Sequence, residues 1–216
     1  DAVCVGTWPY MHRTLVLSAL ENDKHVLTEA RMSMDAQEAH EMLDASRQFP
    51  HLVTQIVPAP GTLQVDRTVQ ELIADGRLGQ LLALSLRVSD GHGRADRSDT
   101  FMNTEGPLHW RQNRQLSGYN IMGMGIWYEA IMRLVGPATK VMAMTKVNVR
   151  QRKDENGVMR AVSIPDHVNV LCEMACGAQA DMSWSTGTGL QMGLELWLFG
   201  SEGTLHLNGP PIKSIY

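Results

Sequence analysis

The chain of 216 residues lacks several features that would place it in a definite class. Its three cysteines are too few for a disulfide framework and favour a reducing cytoplasm. No apolar run approaches the ~18 residues that a membrane-spanning helix needs, and no charged and then apolar signal segment opens the chain. The formal net charge of -4 gives no electrostatic reason to expect nucleic acid or an anionic membrane as a partner. We therefore expect a cytoplasmic protein whose partners are small molecules.

A glycine-rich phosphate-binding loop is also missing. Apolar periodicity predicts a strand over residues 2–6, a helix that ends near Glu21, and a second strand over residues 25–28. This order is typical of a dinucleotide-binding unit, but no G-x-G-x-x-G follows an apolar strand anywhere in the sequence. We expect that loop to lie on an earlier strand, upstream of Asp1, which would make the chain a fragment.

A proline-rich tract then divides the pattern. Asp35, with Glu38 three residues later, resembles a capping box and predicts a helix over residues 35–47, followed by an apolar run over 52–57. The tract Pro58-Ala59-Pro60-Gly61 is rigid and breaks helices. It predicts a domain boundary, with one domain over residues 1–57 and the other over 58–216.

The second part of the chain is rich in strands. The pattern predicts helices over residues 63–75 and 119–135, and strands over 81–88, 140–150, 168–174, 179–185 and 194–199. Strands at such spacing favour an antiparallel or mixed sheet. Residues 90–106 show no periodicity, and a loop of that length predicts a functional lid.

Cys172 and Cys176 are four residues apart on a strand-like segment, where they would share one face as packed thiols; no clustered Cys or His supports a metal site.

Five short stretches carry a family resemblance. They are Gly6-Thr7-Trp8-Pro9-Tyr10-Met11-His12, residues 20–29 (LENDKHVLTE), Gly76-Arg77-Leu78-Gly79, Trp110-Arg111, and residues 199–205 (FGSEGTL). In that order they resemble the Gfo/Idh/MocA oxidoreductases, the glucose-fructose oxidoreductase and inositol dehydrogenase family. The resemblance implies part of a parallel-sheet α/β Rossmann domain that binds NAD or NADP. It also implies a following α+β domain whose large, open, mostly antiparallel sheet carries the substrate and forms homo-oligomers.

Candidate cofactor residues follow the first two strands. Ligands of a parallel sheet bind at the carboxyl ends of its strands, and Thr7-Trp8-Pro9 and Glu29-Ala30-Arg31 come directly after strands. Pro9 equally suits the first position of a helix, because its φ is already fixed. The resemblance places His12 near the cofactor, whereas spacing alone predicts a residue on the helix surface.

Two departures from the family pattern concern the catalytic groups. Where the family usually has Glu-Lys-Pro, this chain has Glu29-Ala30-Arg31, and Arg31 cannot exchange protons near pH 7, so it would bind or stabilise charge. Where many members show Asp-x-Gly-x-His, this chain has Gly123 and Trp127. Oxidation of an alcohol requires a group that takes the hydroxyl proton, and neither replacement can do so.

Other side chains are candidates for those roles. The candidates for the acid or base are His167, Tyr119 and Tyr128, and those for substrate binding are Trp110, Arg111, Tyr119, Asn120, Trp127 and His167. Trp127 would pack over a sugar face or within the core. His167 would otherwise be a strand-edge residue, and Glu129 would otherwise be a solvated or ion-paired helix residue. His92 and His109, in or beside the long loop, are further candidates.

The resemblance implies an NAD(P)-dependent oxidoreductase that transfers hydride between nicotinamide and a sugar, polyol or related hydroxyl compound. A lyase or glycoside-cleaving relative that uses NAD transiently is one alternative, and a noncatalytic sensor or partner subunit is another. Without the phosphate loop, we expect these 216 residues alone to bind NAD(H) weakly or not at all.

Overall fold

The computed structural model describes residues 1–57, 61–62, 65–89, 107–121, 123–185, 193–209 and 213–214. The predicted lid over residues 90–106, His92 within it and residues 58–60 of the proline tract lie outside the described part. The chain divides into two compact units. Unit 1 comprises Asp1–Ala59, Pro107–Asn120 and Lys153–Ile164, and unit 2 comprises Pro60–Gly106, Ile121–Arg152 and Pro165–Tyr216.

The described elements are as follows. The helices are α1 (His12–Glu21), α2 (Ala36–Gln48), α3 (Asp66–Ala74), α4 (Arg114–Ser117) and α5 (Met124–Val135), with 3-10 turns at Pro9–Met11 and Trp110–Gln112. The strands are β1 (Ala2–Val5), β2 (His25–Thr28), β3 (Thr54–Ile56), β4 (Gly61–Thr62), β5 (Leu81–Ser89), β6 (Ala138–Lys146), β7 (Gln151–Lys153), β8 (Met159–Ala161), β9 (His167–Met174), β10 (Gln179–Ser185), β11 (Gly193–Gly200), β12 (Thr204–Gly209) and β13 (Lys213–Ser214). Within the described part of the chain, no helix combines the length and apolar character needed to span a bilayer.

Unit 1 is built on a parallel sheet in the order β1-β2-β3. The predicted strand–helix–strand order is therefore confirmed, and the apolar residues of these elements form one core, which contains Val5, Val16, Leu20, Val26 and Met42. Pro9 is buried and opens the 3-10 turn before α1, a position that suits its fixed φ.

The cap of α2 agrees with the capping signal in the sequence. Asp35 Oδ1 accepts from the backbone N–H of Glu38 at 3.0 Å, as predicted. Glu38 Oε2 accepts from the backbone N–H of Met34 at 2.9 Å, one residue before the cap position. The first bond satisfies a backbone donor that the first helical turn leaves without an intrahelical partner, and the second joins the residue before the cap to that turn.

Unit 2 contains a six-stranded sheet in the order β12-β11-β5-β10-β9-β6. Only the β5–β10 pair is parallel among its strands, so the sheet is mixed and mostly antiparallel, as predicted. Residues of β9 alternate between buried and exposed. The buried side chains of the sheet pack with Val69 of α3 and with Trp127, Ile131 and Leu134 of α5. The opposite face is exposed at Met142, Met144 and Leu171.

The helix predicted over residues 119–135 begins later than expected, at Met124. Gly118 and Gly123 have φ values of 65° and 76°, in the left-handed region that glycine adopts readily. The prediction of a helical Tyr119 and Asn120 was therefore wrong: these residues lie between α4 and α5.

Two other predictions in unit 2 were also wrong. The strand predicted over residues 140–150 ends at Lys146, because the Asp166 carboxylate accepts from the backbone N–H groups of Asn148 and Val149, each at 2.9 Å. Cys172 and Cys176 do not share one face of a strand. Cys172 is buried in β9, whereas Cys176 is exposed in the turn that follows Met174.

Candidate functional site

The site in unit 1 is organised around the carboxyl ends of β1 and β2. These ends lie at the same edge of a parallel sheet, the edge at which such sheets bind ligands. Thr7 and Trp8, after β1, are exposed, as are Glu29 and Ala30 after β2. The Ala30–Arg31 peptide bond is cis.

The buried His12 ring contacts a backbone carbonyl oxygen in each of these two loops. Its side chain is 0% exposed, so the expectation from spacing that it lies on the helix surface was wrong. Nε2 lies 2.8 Å from the carbonyl oxygen of Thr7, and Nδ1 lies 2.8 Å from that of Arg31. Both oxygens only accept, so the ring donates from each nitrogen that carries a proton. His12 is therefore a positioning residue that links the loops after β1 and β2.

An aromatic pair forms the exposed part of the site. The rings of Trp8 and Trp110 stack with centroids 6.1 Å apart and planes 23° apart, and Trp8 is 46% exposed. Trp110 opens a 3-10 turn that is capped by His109, whose Nδ1 accepts from the backbone N–H of Arg111 at 3.3 Å. Gln112 Oε1 accepts from the backbone N–H of His109 at 3.0 Å. These bonds fix the turn that presents Trp110.

Two arginines of unit 1 make contacts in this region, Arg31 with Ser117 and Arg111 with Trp110. Arg31 Nη1 donates to Oγ of the fully buried Ser117 at 2.6 Å. The guanidinium carbon of Arg111 lies 4.2 Å from the centroid of the Trp110 ring. Burial, and then the nearby positive charge of Arg111, lower the pKa of Arg31 to about 10. Burial also lowers the pKa of Arg111.

The segment around Gly118 is tied to the chain that follows β2. Tyr119 donates its backbone N–H to the carbonyl oxygen of Met34 at 3.3 Å. Asn120 Nδ2 donates to the carbonyl oxygen of Ser33 at 3.1 Å and also to that of Ser117. The Tyr119 ring is half exposed and lies under the Arg114 guanidinium, at 3.7 Å. The Asn120 side-chain amide is thus used in hydrogen bonds to the backbone of Ser33 and Ser117, while about half of the Tyr119 side chain is exposed to solvent.

A cleft of about 930 Å³ opens beside the aromatic pair, within unit 1. Trp8, Trp110 and the 3-10 turn line one side, and Asp154, Glu155 and Arg160 line another. Asp154 Oδ2 accepts from Arg160 Nε at 2.8 Å, so these two charges compensate each other. An aromatic surface with amide and hydroxyl side chains around it suits a polar molecule with an apolar face.

The remaining predicted site residues belong to unit 2. Trp127 is 6% exposed and packs in the core. Tyr128 Oη accepts from the backbone N–H of Ala138 at 3.0 Å. His167 is half-buried at the start of β9, with Nε2 3.1 Å from Asn169 Nδ2. Glu129 pairs with Arg133 at 3.1 Å, as expected for an ion-paired helix residue.

Sequence reasoning missed Ser117 and residues 153–164 as parts of this region. Ser117 lies 86 positions from Arg31 in the sequence, and no local pattern reports a contact of that range. The Asn156-Gly157 turn was recognisable, but its location in unit 1 depends on contacts such as that of the Leu108 N–H with the Lys153 carbonyl, at 2.6 Å.

Among the described residues, no group of three or more His, Cys, Asp or Glu side chains is arranged to hold a metal ion.

Comparison with known proteins gives two family matches that together span most of the chain. Residues 1–55 match a model described as an oxidoreductase family with an NAD-binding Rossmann fold, and residues 67–206 match the GFO/IDH/MocA C-terminal domain. The matches agree with the parallel sheet of unit 1 and the six-stranded sheet of unit 2.

Individual relatives are more distant. An uncharacterised oxidoreductase of Synechocystis is 24% identical over 221 aligned positions, which cover 99% of this chain and 56% of the relative. The 1,5-anhydro-D-fructose reductase of Ensifer adhaerens is 34% identical over 83 positions, or 38% of this chain and 25% of the reductase. A solved levoglucosan dehydrogenase, in complex with NADH and L-sorbose, superimposes with a TM-score of 0.77 at 18% identity; 96% of this chain covers 54% of that structure. The chain thus spans about half the length of the first relative and of that structure.

Proposed function

We propose that this chain, which belongs to the GFO/IDH/MocA family of NAD-binding oxidoreductases, is part of an enzyme that oxidises or reduces a sugar, a polyol or a related hydroxyl compound. A bound nicotinamide dinucleotide, NAD or NADP, would supply the hydride acceptor or donor. The observation that carries the proposal is the stacked pair of exposed Trp8 and half-buried Trp110, with Trp8 directly after the carboxyl end of β1.

The chain's own residues fit the nicotinamide end of such a cofactor. Thr7, Trp8, Glu29 and Ala30 are exposed in the loops where a parallel sheet binds ligands, while buried His12 holds those loops through their carbonyl oxygens. We propose that Thr7, Trp8, Pro9, Glu29, Ala30 and Arg31 surround the cofactor, and that His12 acts through the loops it positions.

Two observations support a carbohydrate or polyol as substrate. The stacked indoles of Trp8 and Trp110 offer a broad apolar surface that suits the C–H face of a sugar ring. Two similar proteins act on sugars by name, 1,5-anhydro-D-fructose reductase and levoglucosan dehydrogenase. We propose that Trp110, Arg111, Tyr119 and Asn120, all in unit 1, contribute to this side of the site.

The proton of the reacting hydroxyl needs an acceptor, and the usual family groups are replaced. Tyr119 has the most exposed side chain of the three candidates, with 51% of its surface accessible. The Tyr128 hydroxyl already accepts a backbone hydrogen bond, and His167 contacts Asn169. We propose Tyr119 as the first candidate to test, followed by His167 and Tyr128.

The test uses the complete protein that contains this chain, with NAD or NADP and a panel of sugars and polyols. NADH or NADPH formation is followed by absorbance. We expect net turnover, and a raised KM for Trp110→Ala but not for the control Trp197→Ala, a tryptophan on the open sheet face. Substrate cleavage without net NADH formation would instead indicate the lyase.

A noncatalytic role is the second candidate. Ala30 stands where the family usually has lysine, and Trp127, at the family's histidine position, is buried in the core of unit 2. Ligand binding by the complete protein, without turnover of any panel compound under any condition tried, would favour a sensor or partner subunit over an enzyme.

We further propose that the protein forms homo-oligomers through the open face of the six-stranded sheet. On this face Met142 and Met144 are 72% and 71% exposed, and Leu171 is 58% exposed. Contiguous exposed apolar side chains on one face are typical of interaction surfaces.

A further inference from the structure

The side-chain amide of Asn120 is fixed by two backbone carbonyl groups. Its Nδ2 donates to the carbonyl oxygen of Ser33 at 3.1 Å and also to that of Ser117. A carbonyl oxygen only accepts hydrogen bonds, so the nitrogen of the amide, and not its oxygen, must face these two partners. Both N–H groups of the Asn120 side chain are therefore used within the protein, and the chemistry of the partners sets the orientation of the amide.

The oxygen of the same amide remains available to a ligand. Among the described residues, Asn120 Oδ1 has no hydrogen-bond partner. Asn120 is half-buried, and its oxygen is not one of the fully buried polar atoms that lack a partner, so Oδ1 reaches the surface. A side-chain amide oxygen has two lone pairs and accepts only. The amide therefore presents an acceptor, and no donor, to whatever binds beside it.

The backbone that carries Asn120 is held just as firmly. Tyr119 donates its backbone N–H to the carbonyl oxygen of Met34 at 3.3 Å. At Gly118, a Cβ would lie 2.0 Å from the same oxygen, so this segment packs directly against the chain that follows β2. The position of Oδ1 is thus set before any ligand binds, and a pre-organised group costs little ordering entropy on binding.

Asn120 lies in the region of unit 1 that carries the proposed site. Its partner Ser33 comes two positions after Arg31, which closes the loop at the carboxyl end of β2. The helix α4, which ends at its other partner, packs against the 3-10 turns Pro9–Met11 and Trp110–Gln112. Trp8 directly precedes the first of these turns, and Trp110 opens the second. The helix α4 therefore connects the segment of Asn120 with both members of the aromatic pair.

We infer that Asn120 Oδ1 accepts a hydrogen bond from a hydroxyl group of the substrate, so that Asn120 favours sugars or polyols that carry this hydroxyl. A group that can only accept selects a donor, and a hydroxyl group donates. A site that binds a hydroxyl group in this way rejects the analogue that lacks it, because the polar group of the protein is then left without its partner. This inference rests on the proposed function, because it assigns the feature of the substrate that the same site recognises.

Binding can be measured without turnover. Isothermal titration of the complete protein, with NADH present so that an alcohol binds without being oxidised, compares D-glucose, D-galactose, D-xylose and myo-inositol. The monodeoxy analogues of the compound that binds most tightly are then titrated in the same way. Each gives a deoxy ratio, the Kd of the analogue divided by the Kd of its parent. A separate titration measures the affinity for NADH, whose carboxamide N–H is the other donor that the proposed ligands offer.

The variants are Asn120→Ala, which removes the whole amide, and Asn120→Ser, which keeps a donor for one carbonyl oxygen but withdraws the acceptor. The control is Asn22→Ala. The Asn22 amide also donates to a backbone carbonyl oxygen, that of Ser18 at 2.8 Å, but it lies at the opposite end of α1 from the site. Near-ultraviolet circular dichroism verifies that each variant is folded.

We expect one deoxy ratio of the wild type to be about ten, the size of one good neutral hydrogen bond. Both Asn120 variants should bring that ratio close to one and leave the other ratios unchanged. Asn22→Ala should keep every ratio. A merely structural role of Asn120 would instead weaken parent and analogues by the same factor, with all ratios retained.

Four results would overturn the inference. One is a full set of wild-type deoxy ratios in a folded Asn120 variant. Another is a change confined to the affinity for NADH, which would assign Oδ1 to the nicotinamide carboxamide. The third is hydride transfer that the Asn120 variants leave unchanged, which would refute the inference while the proposed function stands. The fourth, failure of all four compounds to bind, would overturn the inference together with the carbohydrate class. Sugar binding that depends on Asn120, without any turnover, would refute the proposed enzymatic function alone.

Discussion

Single side chains in unit 1 form hydrogen bonds with backbone carbonyl groups that lie outside the strand ladder of the sheet. His12 is the strongest case, because its ring lies between two carbonyl oxygens in a fully buried position. We expect His12→Leu to lower the free energy of unfolding by about 2 kcal/mol or more, since buried acceptors lose their donor.

Urea denaturation of His12→Leu would measure this loss. His40→Leu replaces an exposed histidine of α2 and is the matched control, with an expected change within about 0.5 kcal/mol. If both variants lose the same stability, the two hydrogen bonds of His12 have no special role.

The two cysteines at the end of β9 should differ in reactivity. Burial raises the pKa of the Cys172 thiol, and the thiolate is the reactive form, whereas Cys176 is exposed. We expect Cys176 to react rapidly with a thiol reagent in the native protein, and Cys172 to react only after unfolding. Peptide mapping of Cys176→Ser and Cys172→Ser variants identifies each thiol. Rapid native labelling of Cys172 would contradict the expectation.

The raised pKa of Cys172 also has a consequence for stability. Below the thiol pKa of the unfolded chain, about 8.5, both states hold the proton and the thiol adds no pH dependence. Above it the unfolded chain releases the proton first, so the free energy of unfolding should fall as pH rises. Denaturation between neutral and alkaline pH should show a shallower fall for Cys172→Ala than for the wild type. Cys176→Ser should follow the wild type.

At the scale of elements, glycines set where the helices begin and end. Gly118 has a positive φ, and a Cβ there would lie 2.0 Å from the carbonyl oxygen of Met34. Gly123 also has a positive φ, but no described atom lies within 4 Å of its Cβ position. The two positions therefore separate backbone strain from steric exclusion.

We expect Gly123→Ala to cost about 1–2 kcal/mol from the left-handed conformation alone. Gly118→Ala should cost clearly more, because the chain after α4 must move away from Met34. Thermal or urea denaturation of the two variants compares these costs. Equal losses would mean that the approach of Gly118 to Met34 is easily relaxed.

At the scale of the whole molecule, the open sheet face should govern association. If the protein forms oligomers through this face, Met142→Glu with Met144→Glu should place charges in the interface and produce smaller species. Sedimentation velocity of the complete protein measures the change. Val53→Glu, at an exposed apolar residue of unit 1, is the control and should leave the association state unchanged. An unchanged sedimentation coefficient in the double variant would exclude this face as the interface.

Local signals in the sequence predicted most of the elements, because each depends on residues that are neighbours in the chain. Asp35 and Glu38 predicted the start of α2, and apolar periodicity predicted β1, β2 and the strand-rich second part. The motifs at residues 6–12 and 199–205 indicated the family, which the two family matches confirm. The same locality explains the errors: the end of β6 depends on Asp166, and no pattern within residues 140–150 contains that information.

The sequence by itself thus determined the fold class, the family and the two loops after β1 and β2. Only the tertiary structure decided that His12 is buried, that Arg31 reaches Ser117, and that Trp8 stacks on Trp110. The physical reason is the separation along the chain of the residues that interact. Helix caps, turns and strand periodicity are set over a few residues, whereas a cluster of charges and rings depends on the packing of segments about 80 residues apart or more.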